Sequence, residues 1–230
     1  MWMQYPKVPE LYSVDDQYLI GSDLLVKPVT SAGATTSQVL FPLADCWYDV
    51  DTMQVMDLPG GSGKSMAITV DSGIDKIPVF QRGGSIIPRK LRLRRSSYLM
   101  INDPYTLYVA LNNELKAKGV LYMDDETTFD HESRNEFGVA TFTSDLGSSI
   151  ILQNSVELGG ESALQHAKDT RMIERIVVMG ATKPKEIVLT YVTSSASTPI
   201  EFQYDEKSKI LIIRKPKVSA LEQWSITFKG

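Results

Sequence analysis

Residues 77–88 read Ile77-Pro78-Val79-Phe80-Gln81-Arg82-Gly83-Gly84-Ser85-Ile86-Ile87-Pro88. β-Branched and aromatic residues on both sides of an Arg-Gly-Gly corner predict two short strands, the second closed by proline. Adjacent glycines belong where the backbone takes a positive φ or where two backbones approach closely. Local chemistry alone makes this a tight turn in a sandwich of sheets. Outward from it the same pattern repeats. Short apolar runs recur at 23–29, 38–41, 67–70, 105–111, 119–123, 139–142, 149–153, 173–179, 186–191, 210–214 and 224–228, separated by Gly, Pro, Asp, Asn and Ser. Such spacing predicts an antiparallel all-β fold, not βαβ units. Helical periodicity is limited to a short helix expected near Val14–Gln17, within 11–20, and a turn within 162–168.

A boundary is expected where the basic run Arg89-Lys90-Leu91-Arg92-Leu93-Arg94-Arg95 gives way to Asn102-Asp103-Pro104. A residue before proline is pushed out of the helical region, so Asp-Pro restarts the chain in a turn. The reading is two consecutive antiparallel β-sandwich domains, residues 10–95 and 104–230, with a linker at 96–103. Loops are expected at 159–161 and 193–198.

The 230 residues, 43% hydrophobic, can bury a sizeable core. A net charge of −4 argues against a nucleic-acid or membrane-surface role. No apolar run reaches the length that crosses a bilayer. The opening MWMQYPKVPE has neither a basic n-region nor an apolar h-region, so no secretory signal is expected in it. Cys46 is the sole cysteine, which rules out an internal disulfide and leaves a buried, inert thiol beside Trp47 as the expectation.

Several stretches resemble chemical motifs and fail on detail. Gly60-Gly61-Ser62-Gly63-Lys64-Ser65 has Leu58 where a phosphate-binding loop needs its first glycine, and a strand-like run follows in place of a helix. Leu91 and Leu93 alternate with Arg92 and Arg94, which fits an edge or inter-domain strand whose arginines pair with carboxylates. Asp124-Asp125-Glu126 and Asp130-His131-Glu132 form the densest acidic cluster. A solvated turn accounts for it, and a hard cation such as Ca²⁺ on Asp124 and Asp125 is the alternative, although the EF-hand glycine is missing. His166 has no motif, and there is no zinc or serine-hydrolase signature. Trp2, Tyr5, Trp47, Tyr48 and Trp224 either fill cores or offer a sugar-stacking face.

Four strings in order resemble family 31 glycoside hydrolases along nearly the whole chain. Met1–Pro6 resembles the last strand of the family's catalytic barrel, making residues 1–9 a barrel remnant. Asp16-Gln17-Tyr18 with residues 21–29 (GSDLLVKPV) resembles the exit from the barrel, Cys46-Trp47-Tyr48-Asp49 a W-Y-D strand, and residues 77–88 the family's tail motif. In the second half Arg94-Arg95-Ser96-Ser97, Asp103-Pro104, Leu121-Tyr122-Met123-Asp124-Asp125, Ile173-Glu174-Arg175 and Trp224-Ser225-Ile226 resemble the glucosidase II branch. Glu126 departs from that branch, which usually has glycine after the two aspartates.

The resemblance implies a parent that removes terminal α-1,3-linked glucose from N-linked glycans with retention, in the endoplasmic reticulum lumen and beside a β-type subunit. It also implies that nucleophile and acid/base lie in the (β/α)8 barrel, before residue 1. Trp47-Tyr48-Asp49-Val50-Asp51 echoes the nucleophile motif without its Met-Asn-Glu continuation, so Asp49 receives no catalytic role. No catalytic, cofactor-binding or metal-binding residue is assigned, and no cofactor, nucleic acid or membrane span is expected. The β-domains are expected to brace the barrel, with Trp2, Tyr5, Leu24 and Leu25 as candidates for a bared apolar patch. The alternative is a stand-alone carbohydrate-binding or protein-interaction module.

Overall fold

The protein, as a computed structural model, is described for residues 1–58, 64–160, 169–193 and 197–229. It is nearly all β and divides into two compact units, Met1–Gly83 and Gly84–Gly230. The first contains β1 (Tyr18–Ile20), β2 (Leu24–Val26), β3 (Thr36–Pro42), β4 (Trp47–Asp49), β5 (Ser65–Asp71) and β6 (Val79–Arg82). An antiparallel sheet runs β1-β2-β6-β4, and among the described residues β3 pairs with β5 alone. Leu25, Trp47 and Phe80 from the sheet meet Val39 and Phe41 from the pair in one core, which Tyr5, Val8 and Leu11 complete. Phe41 packs edge-on to Phe80 at 4.8 Å between centroids, a favoured aromatic geometry.

The second unit holds β7 (Ser85–Arg89), β8 (Tyr105–Ala110), β9 (Lys116–Met123), β10 (Gly138–Asp145), β11 (Ile150–Leu158), β12 (Met172–Met179), β13 (Glu186–Tyr191), β14 (Ser197–Pro199), β15 (Phe202–Asp205), β16 (Ile210–Ser219) and β17 (Trp224–Lys229). Among the described residues they hydrogen-bond in the order β14-β13-β17-β11-β10-β9-β7-β8-β12-β16-β15. The ladder is thinnest at β7 and β9, whose register contains the single pair Ser85↔Lys118. Strands on both sides of that joint feed one core, including Leu107 and Val109 of β8, Phe142 of β10, Ile176 of β12 and Trp224 of β17.

The structure departs from the expectations at particular places. Residues 1–17 contain no strand; Met1–Pro6 forms a turn in which the Tyr5 amide bonds the Met1 carbonyl at 3.1 Å. Here Tyr5 and Val8 pack into the first unit's core, and Pro6 and Pro9 lack the amide donors a strand would use. No helix forms at Val14–Gln17; a 3₁₀ turn at Pro9–Leu11 precedes it, with proline at the first helical position. The Gln17 amide instead bonds both the N–H and the carbonyl of Leu40, at 2.9 Å each, as a neighbouring strand would. The division at Gly83–Gly84 lies before the expected linker at 96–103, which sits inside the second unit because β7 pairs with β8 along its whole length. Among the described residues pairing is antiparallel except for β8 with β12 and the single pair of β7 with β9, which run parallel. Strand β14 occupies part of the loop expected at 193–198. The turn expected within 162–168 and His166 lie outside the described residues, as do all three glycines of the 60–65 stretch.

Candidate functional site

The Arg-Gly-Gly corner is a crossing between sheets, not a hairpin. β6 belongs to the four-stranded sheet and β7 to the long sheet of the second unit. The Gly83 amide donates to the Cys46 carbonyl at 2.8 Å, and the next amide, of Gly84, to the Ala110 carbonyl at 2.7 Å. Gly84 has φ +94°, a conformation that L side chains rarely adopt. Pro88 sits within β7 rather than closing it, which the nearly unpaired flank toward β9 tolerates.

The W-Y-D segment is β4, and its residues are used structurally. Trp47 is fully buried and its indole N–H donates to the Pro42 carbonyl at 3.1 Å. Asp49 Oδ1 accepts the amides of Asp51, at 3.0 Å, and Thr52, at 2.7 Å. That is an Asx turn, which folds the chain back toward the Tyr48–Val55 bridge. Burial pushes the Tyr48 phenol up, and burial together with Asp45, which accepts the Tyr5 hydroxyl at 2.9 Å, does the same to Tyr5. Burial also raises the Cys46 thiol, keeping it in its weakly nucleophilic protonated form.

The basic run leaves β7 after Arg89 and is irregular through Arg95. Four of its charges are met inside the second unit. Arg94 grips Asp103 with two bonds, at 2.7 and 3.0 Å, Arg92 reaches Glu174 at 3.0 Å and Lys90 reaches Glu126 at 3.2 Å. Arg89 lies over the Tyr108 ring and Lys90 over that of Tyr105, both about 5 Å from the centroid. The Arg94 bonds hold the Asp103 carboxyl below the usual carboxylate range. In the acidic loop, Asp125 accepts the amides and hydroxyls of Thr127 and Thr128, which pull its carboxyl well below the usual range. His131 lies 3.8 Å from Asp124 and beside the rings of Tyr122 and Phe129. Among the described residues no three His, Cys, Asp or Glu side chains converge as a metal site, and no helix is long and apolar enough to cross a membrane.

Comparison with known proteins gives this arrangement its context. A family model described as glycosyl hydrolase family 31 C-terminal domain matches residues 1–87. Neutral alpha-glucosidase AB of Mus musculus is 39% identical over 227 residues, which is 98% of this chain and 23% of that protein. A crystal structure of a glucosidase II alpha subunit superposes on 100% of this chain and 25% of its own, with a TM-score of 0.85 and 29% identity. The first 87 residues of this chain match the family 31 C-terminal domain, and the whole chain resembles the end of glucosidase II alpha subunits. It spans about a quarter of the length of the relatives it matches. A further structure, an ER glucosidase II heterodimeric complex of the catalytic subunit and the binding domain of the regulatory subunit, gives a TM-score of 0.84 at 30% identity, over the same shares.

Burial sorts the aromatic residues clearly. Trp47, Trp224, Tyr5 and Tyr48 are buried, whereas Trp2 is 58% exposed. Of the four candidates for a bared patch, Leu25 and Tyr5 are core and Leu24 is half-buried, so Trp2 alone stands out. Met3, Tyr12, Tyr18 and Ile20 join it as exposed apolar side chains concentrated near the start of the first unit. Sequence reasoning passed over one further pair, buried Lys27 with Asp16. Its signal was a lysine between Val26 and Pro28 at the end of an apolar strand.

Proposed function

We propose that these residues are the non-catalytic C-terminal region of a family 31 α-glucosidase of the glucosidase II kind. Both units are β-sandwich domains that brace a (β/α)8 barrel, and residues 1–9 lead out of its last strand. The observation that carries this reading is the superposition of the whole chain on one quarter of a glucosidase II alpha subunit. The parent would hydrolyse terminal α-1,3-linked glucose from N-linked glycans, in the endoplasmic reticulum lumen, as partner of a β-type subunit; the heterodimeric neighbour supports the last point.

Retention needs two carboxyl groups about 5–5.5 Å apart, one the nucleophile and one giving and then taking a proton. The carboxylates that drew attention here are otherwise engaged: Asp49 in its turn, Asp103 with Arg94, Asp125 with its threonines. On this reading both catalytic groups belong to the barrel. The exposed apolar side chains at positions 2, 3, 12, 18 and 20 support docking against further protein, since exposed apolar patches mark interaction sites.

The test is to incubate the purified 230-residue chain with an α-1,3-linked glucose disaccharide and measure free glucose. No release is expected. Turnover that survives purification and disappears in Asp49→Asn would refute the assignment.

A further inference from the structure

A cavity of about 350 Å³ in the first unit has a polar wall with no role in the reading above. It opens between the segment before β1, the end of β2 and the face of β3. Lys27 follows β2 directly; its side chain is 7% exposed and its ammonium bonds the carboxylate of Asp16, itself half exposed. Lysine is almost never this buried without a partner, and an ammonium carries three donors. Asp16 takes one of them, which leaves donors for an occupant of the cavity. The wall is stiff. Gln17, buried beside Asp16, is locked to both backbone groups of Leu40, and Ser37 shares a 2.8 Å hydrogen bond with buried Ser72. Thr30, Ser31 and Thr36 add hydroxyls, while Val14, Pro28 and Leu40 supply apolar surface.

This lining discriminates among ligand classes. Asp16 opposes an anion, Lys27 opposes a metal cation, and an apolar ligand would strand both charges without solvent. A neutral ring with adjacent hydroxyls answers both, because each hydroxyl donates and accepts. Its C–H face can lie on the apolar surface. The volume is at the low end of the roughly 300–1,000 Å³ typical of small-molecule sites, which suits one ring.

We propose that this cavity is a saccharide subsite for a single pyranose residue, with Lys27 donating to one hydroxyl oxygen and Asp16 accepting from its neighbour. The proposal rests on the cavity and not on the glycosidase reading, so each can fail alone.

The test is a titration of the 230-residue chain with methyl α-glucoside, and separately with the acyclic polyol sorbitol, followed by NMR chemical shifts. Saturable binding of the pyranoside is expected, weakened about tenfold or more in Lys27→Met and in Asp16→Asn, the loss of one charged hydrogen bond. Ala34→Phe, which narrows the cavity while leaving both charges, is expected to abolish it; circular dichroism checks that each variant is folded, and Ala34→Phe decides if Lys27→Met is not. The absence of saturable binding to the unaltered chain would overturn the proposal. So would binding that persists in Ala34→Phe and Asp16→Asn, or equal affinity for sorbitol.

Discussion

Replacing Gly119 with alanine tests how the second unit is closed. Gly119 lies on β9 opposite Phe142 of β10, where β7 passes at close range. A Cβ built on it would stand 2.0 Å from the Ile86 carbonyl oxygen and 2.8 Å from the Ile86 carbonyl carbon. Real Cβ contacts essentially never fall below 3.0 Å, so β7 must retreat by about 1 Å. The obstacle is backbone, and no rotamer change relieves it. Retreat displaces Ile86, a core residue, and loosens the 3.0 Å bond from the Lys118 amide to the Gly84 carbonyl. Overpacking costs about 1–3 kcal/mol and a lost backbone bond about 0.5–1.5 kcal/mol. Alanine returns about 0.4–1 kcal/mol by restricting the unfolded chain. The expected net effect is a destabilisation of about 2 kcal/mol. Urea unfolding followed by Trp224 fluorescence, in a Trp2→Phe, Trp47→Phe background, measures it in the unit concerned. A change below about 0.5 kcal/mol, the level of an ordinary surface substitution, would refute the close approach of β7 to β9.

Two further outcomes are expected. Acrylamide should quench one tryptophan of three, and Trp2→Phe should remove that quenchable component, because Trp47 and Trp224 are buried; an unchanged quenching curve in Trp2→Phe would contradict the burial pattern. The Asp103 carboxyl is held low by Arg94, so the stability it contributes is full above the unfolded value near pH 3.9 and fades as pH falls through the lower folded value. The gap in Tm between the unaltered chain and Asp103→Asn should therefore narrow between about pH 5 and pH 2. A gap that stays constant across that range would show that the pair does not set the acid limb.

The β-character of the chain was legible because each strand carries its own local signal. The run expected at 186–191 is β13 to the residue, and Trp224 begins the last strand as expected. What local signals cannot reveal is which strands become neighbours. β7 and β8 flank the expected linker at 96–103, yet they pair side by side, so the linker is a loop within one unit. The parallel pairing of β8 with β12 joins residues far apart in sequence and leaves no periodic trace. Gly119 did carry a signal, since a glycine inside a strand marks close backbone approach. Arg92 and Arg94 of the basic run were expected to meet carboxylates and do so, in a loop rather than along a strand. Lys27 was conspicuous in an apolar strand end, but its pairing with Asp16 was not legible: the partners are eleven residues apart, and Asp16 adjoins Gln17, which is bonded to β3.

The use of charge argues for where this chain can act. Its conspicuous charged stretches look like sites in sequence because they are dense, but density here reflects mutual satisfaction. Arg94 and Asp103 consume each other, Asp125 is filled by two threonines, and Arg171, buried, spends two nitrogens on the carbonyls of Ile101 and Asp124. Groups so engaged fix loops in one geometry and are poor ligands, because binding would first have to break those bonds. Lys27 differs, being buried and paired yet beside a cavity that can still reach it. Recognition by this chain is therefore to be sought at a quiet position in an apolar strand end, and at the exposed apolar residues near its beginning, before the charged runs that catch the eye.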